Sequence, residues 1–357
     1  MTRLIEVLIS LAIVAALFLV ISLVLPSSRH LSESVETNRQ MTIVYDTLDS
    51  LRRFKDWNPL VLRDPRMQVK LSGPPSGVGA QLDYSSNDPS LGNGSWKIIA
   101  DQPGESVTYA VTNPQRGHDK RMTFVLKRTG HNGRNIQITQ NYDVTYGWDL
   151  MGRYAGLYVS RHVGDDVKLG LDRLTSMLAS VPNVDYRMQG ATWSGFKTVD
   201  VPSENLLVVT AGSIARDPDK LAASMKANME WIKRSIEASG LTTAGPMRII
   251  STEFGRENYT FDVAQPVQRS GAATADAPLT GLKLQGPVKY VQTKPMRAAE
   301  VSATGYLMSL ENVHNALRAW TLTQGMEVVD RPYDVYKNGI DQAITENGQY
   351  DVYWTLK

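Results

Sequence analysis

The sequence predicts an α+β protein with an N-terminal transmembrane helix and two soluble domains behind it. Three observations carry that expectation. An apolar run fills residues 4–25. A succession of short alternating segments closes on a long amphipathic helix that ends near residue 180. The remainder then repeats a strand–helix–strand–strand unit. A length of 357 residues fits two domains at roughly 150 residues each.

The apolar run, Leu4 to Leu25, holds one charge, Glu6. At about 1.5 Å per residue it spans about 33 Å, slightly more than a bilayer core. Pro26 stops the helix. A cleaved signal peptide would have a shorter apolar stretch and an A-x-A-like site, whereas Pro26-Ser27-Ser28-Arg29-His30 follows here. An uncut anchor is therefore expected over residues 4–25, with the lipid bilayer as partner. Arg3 and Arg29 flank the span almost evenly, so charge gives orientation little support. The expectation is a single pass of the inner membrane with periplasmic domains.

Net charge is +2, and no Lys/Arg block stands out, so no nucleic-acid partner is expected. The absence of cysteine removes disulfides, thiol nucleophiles and cysteine-based zinc sites. The histidines His30, His118, His131, His162 and His314 show no HExxH or His-x-His spacing. No G-x-S-x-G elbow or phosphate loop occurs. No catalytic residue, metal site or cofactor is expected.

The first soluble segment, residues 31–183, opens with a strand over Ser32–Gln40 and a helix over Met41–Phe54, where Val44, Leu48 and Leu51 share a face. Extended runs follow at Met67–Leu71, Gln81–Tyr84, Ser95–Ala100, Ser106–Val111, Arg121–Lys127 and Asn135–Tyr146. Gly130-His131-Asn132-Gly133 signals a hairpin between the last two. Val167, Leu171, Leu174 and Leu178 then mark a helix from Asp165 to Ser180. An antiparallel sheet curled around a long C-terminal helix encloses a cavity. Trp57 is expected at the strand–helix corner. Trp96 and Tyr109 are candidates for the cavity wall or for the outer sheet.

This order resembles the helix-grip superfamily (SRPBCC, START-type, polyketide-cyclase-like). The resemblance rests on Val44–Leu48, Phe54–Pro59, Gly77–Ala80 and Gly92–Trp96. It implies a cavity for apolar or amphipathic ligands, and in a minority of members an enzyme.

The second segment, residues 185–357, begins with an extended run at Asn205–Ala211. A helix opened by Asp217-Pro218 and closed by Gly240 follows, then strands at Met247–Thr252 and Tyr259–Val263. Arg269–Leu279 reads as a flexible linker. The second unit comprises runs at Val288–Gln292 and Arg297–Thr304 and a helix capped by Ser309 and ended by Gly325. Strands at Met326–Val329 and Tyr350–Leu356 close it. Two such βαββ units pair into a sheet with both helices on one side and a concave face between them.

The pattern Arg297–Gly305, Tyr306-Leu307, His314–Leu317, Trp320, Gly325 and Arg331–Tyr336 is similar to the GyrI-like effector-binding domain. That resemblance implies a cationic or amphipathic ligand held by aromatics and a buried carboxylate. Asp351 best matches the acidic position, with Glu300 the other candidate. The candidate ligand residues are thus Trp96, Tyr109, Glu300, Tyr306, Trp320, Tyr333, Tyr336 and Asp351. Aromatics beside a carboxylate attract a cation by Coulomb and cation–π terms of about 0.5–2 kcal/mol each. The same aromatics also serve as ordinary core. The chain therefore reads as a membrane-anchored binding protein for hydrophobic, amphipathic or cationic small molecules. A hydrolase or cyclase acting in one cavity, and a chaperone-like protein-interaction module, are the alternatives.

Overall fold

The computed structural model describes residues 2–271 and 277–357. Its contacts divide the chain into two compact units, Met1–Val181 and Pro182–Lys357. The linker expected over residues 269–279 falls partly on 272–276, outside the described residues.

Helix α1 (Thr2–Val24) is long and apolar enough to cross a membrane, and nearly all of it is exposed. The rest of the first unit is α+β. Strand β1 (Ser28–Thr37) leads into three short helices, α2 (Met41–Leu48), α3 (Phe54–Trp57) and α4 (Leu60–Arg63). Next come β2 (Gln68–Ser72), β3 (Gln81–Ser85), β4 (Asn93–Gln102), β5 (Ser106–Thr112), β6 (His118–Thr129) and β7 (Asn135–Thr145). Helices α5 (Leu150–Ala155) and α6 (Val159–Ala179) complete the unit. The strands form one antiparallel seven-stranded sheet in the order β1-β7-β6-β5-β4-β3-β2. Helix α6 packs Val167, Leu171, Leu174 and Leu178 inward. Gly164 brings it close to Leu31 of β1. Arg173 donates to the carbonyls of Trp57 (3.2 Å) and Asp56 (2.9 Å), tying α6 to α3.

Two expected helices differ in extent. The one read over residues 41–54 breaks after Leu48, because Ser50 is extended and its hydroxyl accepts the N–H of Arg52 to start a new turn. The long helix starts at Val159 rather than Asp165. Asp165 and Asp166 therefore lie inside it and are not its cap. Helix α5, capped by the Asp149 carboxylate accepting from Gly152 N–H, carries no apolar period long enough to read from sequence.

The core of this unit is aromatic. Trp57 packs edge-on against Trp96 (6.4 Å) and Phe124 (5.7 Å), and Tyr109 against the same two rings (5.5 and 5.8 Å). Each such pair adds about 0.5–1.5 kcal/mol to the area it buries. The Tyr109 hydroxyl donates to the Leu48 carbonyl, and burial pushes its pKa far up.

In the second unit, β8 (Trp193–Val201), β9 (Asn205–Ala215), α7 (Pro218–Ser239), β10 (Leu241–Thr243), β11 (Arg248–Phe254) and β12 (Asn258–Arg269) come first. Then follow β13 (Lys289–Gln292), β14 (Met296–Thr304), α8 (Leu310–Thr323), β15 (Tyr333–Tyr336), α9 (Ile340–Ala343) and β16 (Gln349–Thr355). The main sheet runs β13-β9-β12-β11-β15-β16-β14-β8, with β10 paired to β12. It holds the duplication: β9-α7-β11-β12 and β14-α8-β15-β16 meet where β11 pairs antiparallel with β15. Leu221, Met225 and Ile232 of α7 share a core with Val313 and Leu317 of α8, so both helices cover one face. Helix α7 has the expected ends. Asp217 accepts from the Lys220 N–H, Pro218 occupies the first turn, and Gly240 closes it at φ 62°.

Three local readings change. Ser309 stands before α8 but makes no side-chain cap. Residues 326–329 give a single bridge, Val328 to Leu356, because Gly325 (φ 69°) and Asp330 (φ 58°) turn the chain on both sides. The second closing strand is instead β15, which lies within the Arg331–Tyr336 motif.

Candidate functional site

Between the sheet of the first unit and α6 lies a cavity of about 390 Å³. Its wall is laid down by strand parity. Trp96 of β4 faces Val111 of β5, Met122 of β6 faces Tyr142 of β7, and all four side chains line it. Helix α6 contributes Val163, Val167 and Gly170 at spacings of four and three. Gly170 lets α6 approach Pro59, whose ring would lie 3.3 Å from an added Cβ. Trp57, Tyr84 and Tyr146, all buried, complete the apolar part.

Polarity is segregated. The buried wall is apolar except for Asn58 and Gln140, each 3% exposed. The Gln140 amide nitrogen donates to the Met122 sulfur at 3.0 Å, and its amide oxygen has no partner. The indole N–H of Trp96 is likewise without one. Such buried groups cost about 1–3 kcal/mol each when left unpaired. The opening is charged and exposed: Arg63, Arg116 and His162 stand there. Arg63 grips both oxygens of Asp166 at 2.6 Å. Burial raises the Asp166 pKa, against the pull of Arg63. Arg116 holds Asp149 at 3.0 Å, and the Asp149 pKa is lowered first by its bond from the Gly152 N–H. An aromatic interior with two unpaired polar atoms and a charged mouth suits an amphipathic molecule.

Of the sequence candidates in this unit, Trp96 lines the cavity and Tyr109 sits behind it in the aromatic core. Trp57, read as a corner residue, also lines it. Gln140 and Tyr142 were not singled out. Their signal was present in β7, where Ile136, Ile138, Gln140, Tyr142 and Val144 alternate inward. A glutamine in that apolar register is the anomaly.

The second unit carries a groove of about 380 Å³ on the sheet face away from its helices. Glu300 of β14 stands opposite Tyr353 of β16, which stands opposite Tyr333 of β15. The two tyrosine rings stack at 5.0 Å. The Arg248 guanidinium lies 4.8 Å from the Tyr333 ring and 2.8 Å from the Glu204 carboxylate. Lys197 meets Glu300 at 3.1 Å. Glu204 and Glu300 thus each have a cation. Glu204, Arg248 and Tyr353 were not anticipated.

The other candidates separate. Asp351 lies on the same sheet face but pairs with Ser302 (2.7 Å) and Lys337 (3.0 Å) outside the groove. Tyr336 points to the helix side, packed on Tyr350 at 5.0 Å, and its hydroxyl has no partner. Trp320, on α8, stacks on Phe196 at 5.7 Å. Tyr306 is half exposed in the β14–α8 connection. The six residues proposed for this unit therefore do not form one cluster.

Burial raises the pKa of Tyr142, Tyr259, Tyr333, Tyr336 and Tyr350, and pushes Tyr353 up to about 12. The unfolded chain ionises its tyrosines near pH 10, before the folded one does. Stability is therefore full below about pH 10 and is lost as pH rises towards 12. The urea midpoint is expected to fall across that window, with the tyrosinate absorbance of these buried residues appearing on unfolding.

Fold and cavity together define a class: an α+β protein of two antiparallel-sheet units, one enclosing a ligand-sized cavity. No protein-family model matches the chain, and no curated protein matches it. Among solved structures it is similar to the C-terminal domain of EcmrR, at 14% identity over 46% of this chain and 97% of that one (TM-score 0.35). It is also similar to truncated norcoclaurine synthase from Thalictrum flavum, at 12% identity over 43% of this chain and 94% of that one (TM-score 0.34). A third similarity is to protein CV1439 from Chromobacterium violaceum, at 14% identity over 43% and 98% (TM-score 0.29).

Proposed function

We propose that the chain is a membrane-anchored binding protein for amphipathic small molecules, with the cavity of the first unit as its site. The observation that carries this reading is the polarity of that cavity. Its interior is aromatic, the Trp96 N–H and the Gln140 amide oxygen lack partners, and Arg63, Arg116 and His162 stand at the opening. An acyl or ring system fills the interior, and an anionic or zwitterionic head meets the arginines. Helix α1 holds the cavity beside the bilayer, where such molecules concentrate.

A panel of fatty acids, lysophospholipids, bile-salt-like sterols and alkyl ammonium compounds tests this by thermal shift on the full chain in detergent-free nanodiscs. A ligand at 100 times its Kd is expected to stabilise the first unit by about 2.7 kcal/mol. A folded protein stabilised by none of these classes would sink the reading. The stacked Tyr333 and Tyr353 beside Glu300 favour a second, cation-selective site in the second unit. The alkyl ammonium arm reports on it.

A further inference from the structure

Outside α1, the segment between β7 and α6 gathers more exposed large apolar side chains than any other stretch of the first unit. Trp148 is 82% exposed, Met151 56%, Leu157 48% and Tyr158 59%. Four large apolar or aromatic side chains within eleven residues thus face outward. Gly152, Arg153 and Gly156 are buried.

What the inward residues touch is α1. Arg153 donates to the carbonyls of Ser22 (3.1 Å), Leu23 (3.3 Å) and Leu25 (3.4 Å), and also to Gly147. The last carbonyls of a helix have no partner within it, and this guanidinium supplies one. Tyr154 stacks on Phe18 at 4.8 Å and donates to its carbonyl at 3.0 Å. The segment is therefore fixed along the final turns of α1, not merely near its end.

That contact sets a depth. Phe18 precedes Val24 by six residues, which is about 9 Å at ~1.5 Å per residue. If α1 crosses the bilayer, a segment bonded to Phe18 lies about where interfacial helices bury their apolar face, ~5–10 Å below the headgroup boundary. Tryptophan and tyrosine are the residues that settle at this level.

The same segment forms part of the cavity. Ala155, Tyr158 and Val159 line its opening. We infer that residues 148–158 dock into the leaflet that α1 enters, and that the cavity opens onto this leaflet, so that ligand passes between membrane and cavity without crossing water. The inference rests on the membrane-anchored reading above. The occupant is the lipid surface, fixed by continuity of the apolar patch with the apolar surface of α1.

The test uses the full chain in phosphatidylcholine nanodiscs whose acyl chains carry bromine at carbons 6 and 7. Bromine is expected to quench a component of the tryptophan emission that is missing from Trp148→Phe. Equal quenching of the two proteins overturns the docking. The second arm uses Met151→Glu with Leu157→Glu, neither of which lines the cavity. Transfer of a fluorescent fatty acid from phosphatidylcholine vesicles to the double variant is expected to slow at least tenfold, while binding of the same probe added as monomers is unchanged. An unchanged transfer rate overturns the route. If the probe binds neither protein, the ligand-binding reading fails, and the quenching arm still decides the docking. Trp148 shielded by a stoichiometric protein without bromine quenching assigns the patch to that protein and overturns the proposal.

Discussion

Replacing Asp334 with alanine is expected to cost the second unit about 3–5 kcal/mol, the usual loss when one partner of a buried charged pair is removed. Asp334 lies on β15 with 0% exposure and is hydrogen-bonded to His314 Nε2 of α8 at 2.6 Å. Its second carboxylate oxygen has no partner, nor does the neighbouring Tyr336 hydroxyl. Phe254 and Trp354 close over the imidazole at 5.1 and 6.2 Å. His314 is only 5% exposed, so solvent replaces little of the lost oxygen. For a unit of this size the loss corresponds to roughly 6–20 °C in Tm. Asp334→Asn keeps shape and one hydrogen bond and is expected to lose about half as much. Urea unfolding followed by hydrogen exchange in β15 and β16 separates this unit from the first. An unchanged midpoint in Asp334→Ala would show that the pair contributes nothing to folding.

Filling the cavity is the second large effect. Val163→Trp places an indole into the space between α6 and the sheet, where Val163 now lines an open volume of about 390 Å³. The ligand then loses room for two or three methylenes, each worth about 0.8 kcal/mol. Affinity is expected to fall about 30-fold, which is about 2 kcal/mol. Stability is expected to hold, because the void accepts the ring without displacing core. Calorimetric titration with the best ligand of the panel gives the affinity, and the thermal midpoint gives the control. Unchanged affinity with a retained fold would move the binding site out of this cavity.

How much of this was legible in the sequence depended on whether the signal was local. The apolar period of α1 and the alternation in β6 and β7 sit within single elements, and their bounds are close to those read. The start of α6 was misplaced because Asp165-Asp166 mimics a cap, while Val159 to Gly164 before it carry no apolar stripe. The faces of strands were harder. Tyr333 and Tyr336 are three apart on one strand, so alternation must send them to opposite sides. Grouping them as one aromatic cluster required not knowing that the motif is a strand. Whether Trp96 or Tyr109 reaches the cavity turned on the register of β4 with β5 and its irregularity between Ile98 and Ala100, which only pairing reveals. Arg248 lies on β11 and Glu204 in the β8–β9 connection, and no spacing announces them.

The two halves of the second unit join where β11 and β15 pair Arg248 to Val335, Ile249 to Asp334 and Ile250 to Tyr333, and the N–H groups of Ser251 and Tyr336 extend the seam to the carbonyls of Pro332 and Met247. Elsewhere the sheet pairs at greater length, as β12 does with β9 from Asn258 to Pro266. The seam is therefore shorter than that pairing, and side chains brace it as well. Arg248 from one half lies over Tyr333 from the other and is itself braced by Glu204. On the opposite surface, His314, held by Asp334 of its own half, packs edge-on against Phe254 of the other half at 5.1 Å. These two rivets, one per face, make the duplicated halves a single mechanical body, and a molecule bound over Tyr333 would pull on both halves at once.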